Sequence, residues 1–185
     1  MNGRSHTGEA SAPPVLVVMG VSGCGKSTVA AQLAQELGIE FLEGDAWHAP
    51  SSVAKMASGL PLNDADRADW LALLADKLAG AVRERRGVVL ACSALKRSYR
   101  DQLRAGAPGL LFVHLRGERS VLAERTAGRS GHYMPPSLLE SQLATLEPPK
   151  ADENALTFDI ALTPEAIVHE VCAVLSGISP SSPDT

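Results

Sequence analysis

The sequence predicts an α/β domain, with five parallel strands in one sheet and helices on both faces. Short apolar runs alternate with helix-length amphipathic segments along the chain, which is how a parallel sheet with helical crossovers reads. The apolar run Val15–Met19 leads directly into GVSGCGKS at 20–27 and then into a helix-forming stretch, the setting in which G-x-x-x-x-G-K-[ST] is a phosphate-binding P-loop. A length of 185 residues, 45% hydrophobic, suits one domain with a real core and is too short for two ordinary ones.

The elements follow in order. Strands are expected at 15–19, 39–42, 88–92, 110–115 and 156–162, each a short apolar run bounded by turn or helix signals. Helices are expected at 26–37, 66–86, 95–103, 118–126, 137–146 and 164–175. The clearest is the third-strand approach at 66–86, where Trp70, Leu71, Leu74, Leu78, Ala81 and Val82 recur at steps of three and four; that stripe is core packing. Residues 1–14, small, polar and broken by Pro13 and Pro14, read as a disordered leader, and 177–185, rich in Ser and Pro, as a flexible tail. Between them, 15–176 form a single domain.

Composition narrows the function. A formal charge of −4 and a pI near 5.7 argue against a nucleic-acid surface, which needs clustered excess Lys and Arg, and point to a small substrate. No apolar run approaches the ~20 residues that span a bilayer, so no membrane partner is expected. Cys24, Cys92 and Cys172 lie far apart with no C-x-x-C spacing, which suits a reducing, cytoplasmic compartment.

The P-loop predicts nucleoside triphosphate binding. Glycines let backbone N–H groups turn inward around phosphates, the following helix presents its positive end, Lys26 reaches the β- and γ-phosphates, and the Ser27 hydroxyl can ligate Mg²⁺. Cys24 is a tolerated residue inside the loop. In open α/β sheets the ligand lies beyond the carboxyl ends of the strands, and Asp45 stands just after the second strand. It either receives a proton from a substrate hydroxyl, with Mg²⁺ held through water as a second role, or caps a turn; the pattern alone does not choose. The third strand ends Leu90-Ala91-Cys92-Ser93 with no Walker-B acid, which disfavours a GTPase-like or mechanical ATPase and favours a small-molecule kinase. Asp159, within the fifth apolar run, reads as structural. Residues 124–136 carry Arg125, Arg129 and His132 between glycines, either as a lid that closes over the γ-phosphoryl group or as a solvated loop. Lys55, Arg67, Lys96, Arg97 and Arg100 follow the second or third strand, a cationic cluster suited to an anionic acceptor.

These residues resemble the gluconokinases, small P-loop kinases that phosphorylate D-gluconate on its 6-hydroxyl. The resemblance runs from about residue 15 to 175 through the blocks MGVSGCGKST, GDAWH, KMASGLPLNDADRADWL, CSALKRSYRDQLR, FVHLRG, GHY and SQLATLEPP, of which the third and fourth are the distinctive ones. It implies a P-loop kinase fold with a mobile lid, a homodimer, and ATP on Gly20, Val21, Ser22, Gly23, Cys24, Gly25, Lys26, Ser27 and Thr28. Arg125 would stack on adenine and Arg129 would reach the phosphates, completing the catalytic set of Lys26, Asp45 and Arg129. Gluconate would lie near Asp45, His48, Lys55, Arg67, Ser93, Lys96 and Arg97, with His132 and Gln142 also on the substrate side. Where the family reads His-Pro this chain has His48-Ala49, and Ser52 replaces a family Asn; the charged groups are intact. A kinase for another small acceptor (shikimate, a nucleotide, a different sugar acid) and a non-catalytic ATP-sensing module are the alternatives.

Overall fold

The strands assemble in the order β2-β3-β1-β4-β5, every pair parallel. They are β1 (Val15–Met19), β2 (Glu40–Glu43), β3 (Val88–Ala91), β4 (Leu111–Arg116) and β5 (Ala155–Asp159). The computed structural model describes residues 12–128 and 136–177; the expected leader and tail lie largely outside that span. The helices are α1 (Lys26–Leu37), α2 (Pro50–Ala57), α3 (Asp64–Arg83), α4 (Arg97–Gly106), α5 (Arg119–Ala127), α6 (Pro136–Thr145) and α7 (Pro164–Leu175), with a 3-10 turn at Gly44–Trp47.

Alternation along the central strands explains why they read as unbroken apolar runs. Leu16 and Val18 of β1, with Val89 and Val113, face α1 and α7. Val17 and Met19, with Leu90 and Phe112, face α3 and α4. Each layer is a separate core, and a fully buried aliphatic side chain in either stabilises by about 1.5–3 kcal/mol. The stripe on α3 packs as expected except Val82, which is 39% exposed.

Departures from expectation occur at ends and have local causes. Helix α3 begins at Asp64 because Asn63 and Asp66 form a capping box, and it stops near Arg85, whose φ is +52°. Strand β5 ends at Asp159 rather than 162, since the Asp159 carboxylate accepts the Ala161 N–H in a turn; Asp159 is structural there. Helix α2, headed by Pro50, was not expected.

Helix α4 starts at Arg97, two residues late, because the turn before it is held by a buried ion pair. Ala94 adopts φ +43°, and the Arg100 guanidinium donates to the carbonyls of Ala94 and Leu95, both at 3.1 Å. The same guanidinium grips Glu153 in bidentate fashion at 2.7 and 2.9 Å, and both side chains are fully buried. Arg100 is therefore a structural residue and not part of a cationic acceptor surface. Its hydrogen bonds to Glu153 hold that carboxyl well below its ordinary value of 4.5, at about 2. A depressed carboxylate stabilises the fold fully above its ordinary pKa and loses that contribution as pH falls through the folded value.

Two outcomes follow for Glu153→Gln. Leaving Arg100 buried without its counter-charge is expected to cost about 3–5 kcal/mol, read as a Tm lowered by about 10 °C. The wild-type advantage over the variant should be constant above pH 5 and shrink as pH falls from about 4.5 toward 2; an advantage unchanged at pH 3 would contradict the assignment.

Candidate functional site

The loop at 20–25 leaves the buried end of β1 and is pinned from beneath by Val21 and Cys24, 3% and 2% exposed. Gly23 sits at φ +81°, and a Cβ there would lie 2.7 Å from Thr126 Oγ1 and 2.8 Å from the Leu122 carbonyl of α5, so only glycine fits. Two bonds tie the loop to other elements. The Gly20 N–H donates to the Ser93 carbonyl at 3.3 Å, and the Ser22 N–H donates to the Gln142 side-chain oxygen of α6 at 2.7 Å. Lys26 folds its ammonium back onto the Val21 carbonyl at 3.1 Å. Ser27 and Thr28 stand in the first turn of α1, with the Ser27 side chain partly exposed.

Beside the loop opens a cleft of about 320 Å³ with walls that include Thr28, Arg125, Ile160, Leu162, Pro164 and Ile167. Its apolar walls and single guanidinium suit a flat heteroaromatic ring. Arg125 is held there by donating to the Ile160 carbonyl at 3.2 Å.

On the other side, Asp45 occupies the 3-10 turn that follows β2. Gly44 lets this turn approach β3 closely, since a Cβ at that position would lie 2.4 Å from the Ala91 carbonyl. Trp70 of α3 fixes the turn from below. Its indole N–H donates to the Gly44 carbonyl at 2.8 Å, and its ring stacks on His48 with centroids 4.1 Å apart. The His48 side chain is 3% exposed while Asp45 is 68% exposed, with 3.8 Å between Nε2 and Oδ1. Burial pulls the His48 pKa down; Asp45 opposes and Arg67 reinforces this. His48 is thus a neutral, stacked prop beside a solvent-facing carboxylate.

Charge converges around the end of β3. Burial pushes the Cys92 thiol up to about 12; a hydrogen bond from the Ala94 backbone opposes this, Asp45 adds to it, and Lys26 and Arg67 oppose it.

The expected cationic cluster is mostly self-neutralised. Lys55 pairs with Asp66, Lys96 with Asp64 at 2.7 Å, and Arg97 with Asp152 through two bonds of 3.1 and 2.8 Å. Among the described residues Arg67 has no carboxylate partner. It lines a narrow cavity of about 30 Å³ with Met56, Leu62, Leu95 and Gln142. Ser93, 8% exposed, closes the junction with the loop. Arg129 and His132, and most of the expected lid at 124–136, lie outside the described residues.

Two features escaped sequence reasoning. Trp70 was legible as core but not as the residue carrying His48 and Gly44, and the Gln142 contact to the loop joins positions 120 apart in the chain with no local signal for it. Among the described residues no cluster of three or more His, Cys, Asp or Glu side chains could hold a metal; a Mg²⁺ ion would have to rest on the Ser27 hydroxyl, phosphate oxygens and water, which suits an ion that keeps much of its hydration shell.

Comparison with known proteins agrees with this geometry. A family model described as an AAA domain matches residues 15–149. The chain is 53% identical to a gluconokinase of Gluconobacter oxydans, over 86% of this chain and 89% of that one. It is similar to the crystal structure of a gluconokinase from Sinorhizobium meliloti, with a TM-score of 0.81, 50% identity, and 91% and 94% of the two chains covered. An unliganded sugar kinase from Janibacter sp. superposes with a TM-score of 0.83 at 44% identity, covering 91% and 96%.

The three thiols differ in access, since Cys24 and Cys92 are buried and Cys172 is partly exposed. An aromatic disulfide reagent at pH 8 should titrate one thiol in the native protein and three in denaturant. Fast native reaction of a second thiol would show that the loop around Cys24 opens.

Proposed function

The chain belongs to the gluconokinase family, and we propose accordingly that it transfers the γ-phosphoryl group of ATP to the 6-hydroxyl of D-gluconate, giving 6-phospho-D-gluconate and ADP. The placement of Asp45 in the 3-10 turn after β2, with Gly44 packed against the Ala91 carbonyl of β3 and Gly20 of the loop bonded to the Ser93 carbonyl just beyond β3, supports the reading, because it sets the phosphate-binding loop and a carboxylate at neighbouring carboxyl ends of the sheet. Family membership disfavours the other acceptors and the ATP-sensing module.

In this reading the triphosphate lies on Gly20 to Ser27 and adenine enters the cleft beside Thr28 and Arg125. Lys26, released from the Val21 carbonyl, neutralises charge on the β- and γ-phosphates, and loop amides do the same without reorganising. Ser27 would hold Mg²⁺, with Asp45 reaching it through water, and the ion would supply neutralisation of phosphate charge. The gluconate 6-oxygen attacks the γ-phosphorus, the bond to the β-γ bridging oxygen breaks, and the hydroxyl proton passes to Asp45. His48, neutral and stacked on Trp70, limits where the Asp45 carboxylate can swing. Arg67 receives the substrate carboxylate as a bidentate partner. Gln142 lines the cavity that holds Arg67 and Ser93 stands beyond β3 against the loop, while Lys55, Lys96 and Arg97 act through their own carboxylate partners unless gluconate displaces these. Arg129 and His132 complete the site from the lid.

A homodimer and a cytoplasmic location belong to the same proposal. Exposed Phe41, Trp47 and Leu73 support the first and three unpaired cysteines the second. No helix among the described residues is long and apolar enough to cross a membrane.

Coupled ADP release with gluconate, shikimate and AMP as acceptors tests the function, and ADP should appear with gluconate alone. Release independent of acceptor, or driven by another acceptor, would refute it. Asp45→Asn should lower kcat by 10²-fold or more, in line with loss of a general base, with ATP affinity little changed; normal kcat would remove Asp45 from the reaction. Arg67→Met should raise KM for gluconate about tenfold or more while KM for ATP moves little, reflecting loss of a charged hydrogen-bonded pair of about 1.5–3 kcal/mol.

A further inference from the structure

We propose that Gln142 is a positioning residue that couples occupancy of the acceptor pocket to the shape of the phosphate-binding loop, an inference that rests on the gluconokinase reading above. Its side-chain oxygen accepts the Ser22 N–H at 2.7 Å, while the same residue lines the narrow cavity that holds Arg67. One carboxamide therefore touches both halves of the site.

The contact is held from behind. Leu138 and Leu139, 5% and 2% exposed, seat α6 in the fold, and Gln142 follows them by four and three residues, on the same helix face. Beyond the helix, the Glu147 N–H donates to the Leu95 carbonyl at 2.9 Å and the Glu147 carboxylate accepts the Arg97 N–H at 2.7 Å. Leu95 belongs to the turn whose Ser93 carbonyl holds Gly20. The loop is thus gripped at two points, Gly20 and Ser22, and the Ser22 grip comes from a residue that lines the cavity holding Arg67.

A carboxamide has two ends. With its oxygen given to Ser22, the Gln142 NH₂ makes no hydrogen bond to protein among the described residues, and in this proposal it donates to a gluconate oxygen. Substrate bound there fixes the plane of the amide and so fixes the Ser22 N–H in the orientation the loop needs around phosphate. The reverse also holds, because coupling between two bound ligands is reciprocal. One neutral hydrogen bond gained or lost changes affinity about two- to tenfold.

The test uses the full chain and the Kd of a non-hydrolysable ATP analogue with Mg²⁺, measured by calorimetry with and without saturating gluconate. In the wild type gluconate should tighten the analogue about two- to tenfold. Gln142→Leu removes both ends of the amide and should bring that ratio to one. Gln142→Glu keeps an oxygen for Ser22 but lacks the NH₂ donor; its ratio should also fall to one, whereas a merely structural brace would be rescued. A wild-type ratio of one, a ratio that survives in the Leu variant, or rescue by Glu would overturn the inference. Should the Leu variant fail to fold, the near-isosteric Glu variant decides alone. Wild-type ADP release on gluconate is measured alongside: turnover with no coupling overturns the inference alone, and absent turnover overturns the functional reading and the inference with it.

Discussion

The buried pair of Arg100 and Glu153 is the constraint on which the acceptor side of the site depends. Removing two charges from water costs several kcal/mol each, and the cost is offset here by mutual attraction and a dense set of hydrogen bonds. Arg100 spends its donors on Glu153 and on the carbonyls of Ala94 and Leu95, and Glu153 also accepts from Arg104 and from the Lys150 N–H. The pair holds Ala94 in a left-handed conformation that a residue with a Cβ adopts only when its surroundings impose it. That turn presents the Ser93 carbonyl to Gly20 and the Leu95 carbonyl to Glu147. The donor loop, the end of β3 and helix α6 are in this way referred to one buried ion pair that never meets substrate.

A second economy is visible in the distribution of charge. The α3 amino terminus carries Asp64 and Asp66, which complement the helix dipole and also absorb Lys96 and Lys55. Asp152 does the same for Arg97. Of that cluster, Arg67 has no carboxylate partner among the described residues. Lysines and arginines that crowd together in sequence are, in three dimensions, mostly paired with carboxylates.

The order of strands and helices was legible because it rests on local physics. Period and burial mark β1, β3 and β4, glycine spacing marks the loop, and apolar steps of three and four mark α3. Element ends were less legible, since the ends of β5 and α4 and the existence of α2 depend on particular side-chain bonds such as that of Asp159 to Ala161. Among the candidate site residues, Lys26 and Ser27 were read from the loop motif, while strand-end position left Asp45 open between a catalytic and a turn-capping role. Arg67 could not be separated from Lys55, Lys96 and Arg97, because the carboxylates that neutralise those three lie up to 55 residues away.

By itself the sequence determined the fold class, the phosphate-binding loop and the acid after the second strand, all written in contiguous residues where covalent neighbours dictate geometry. Tertiary structure alone decided which cation stays unpaired, that Arg100 is buried, that Trp70 props His48, and that Gln142 reaches the loop. Those outcomes depend on contacts between residues tens to more than a hundred positions apart. No local spacing rule reports them, because hydrogen bonds and ion pairs are set by distance in space and the chain must fold before that distance exists.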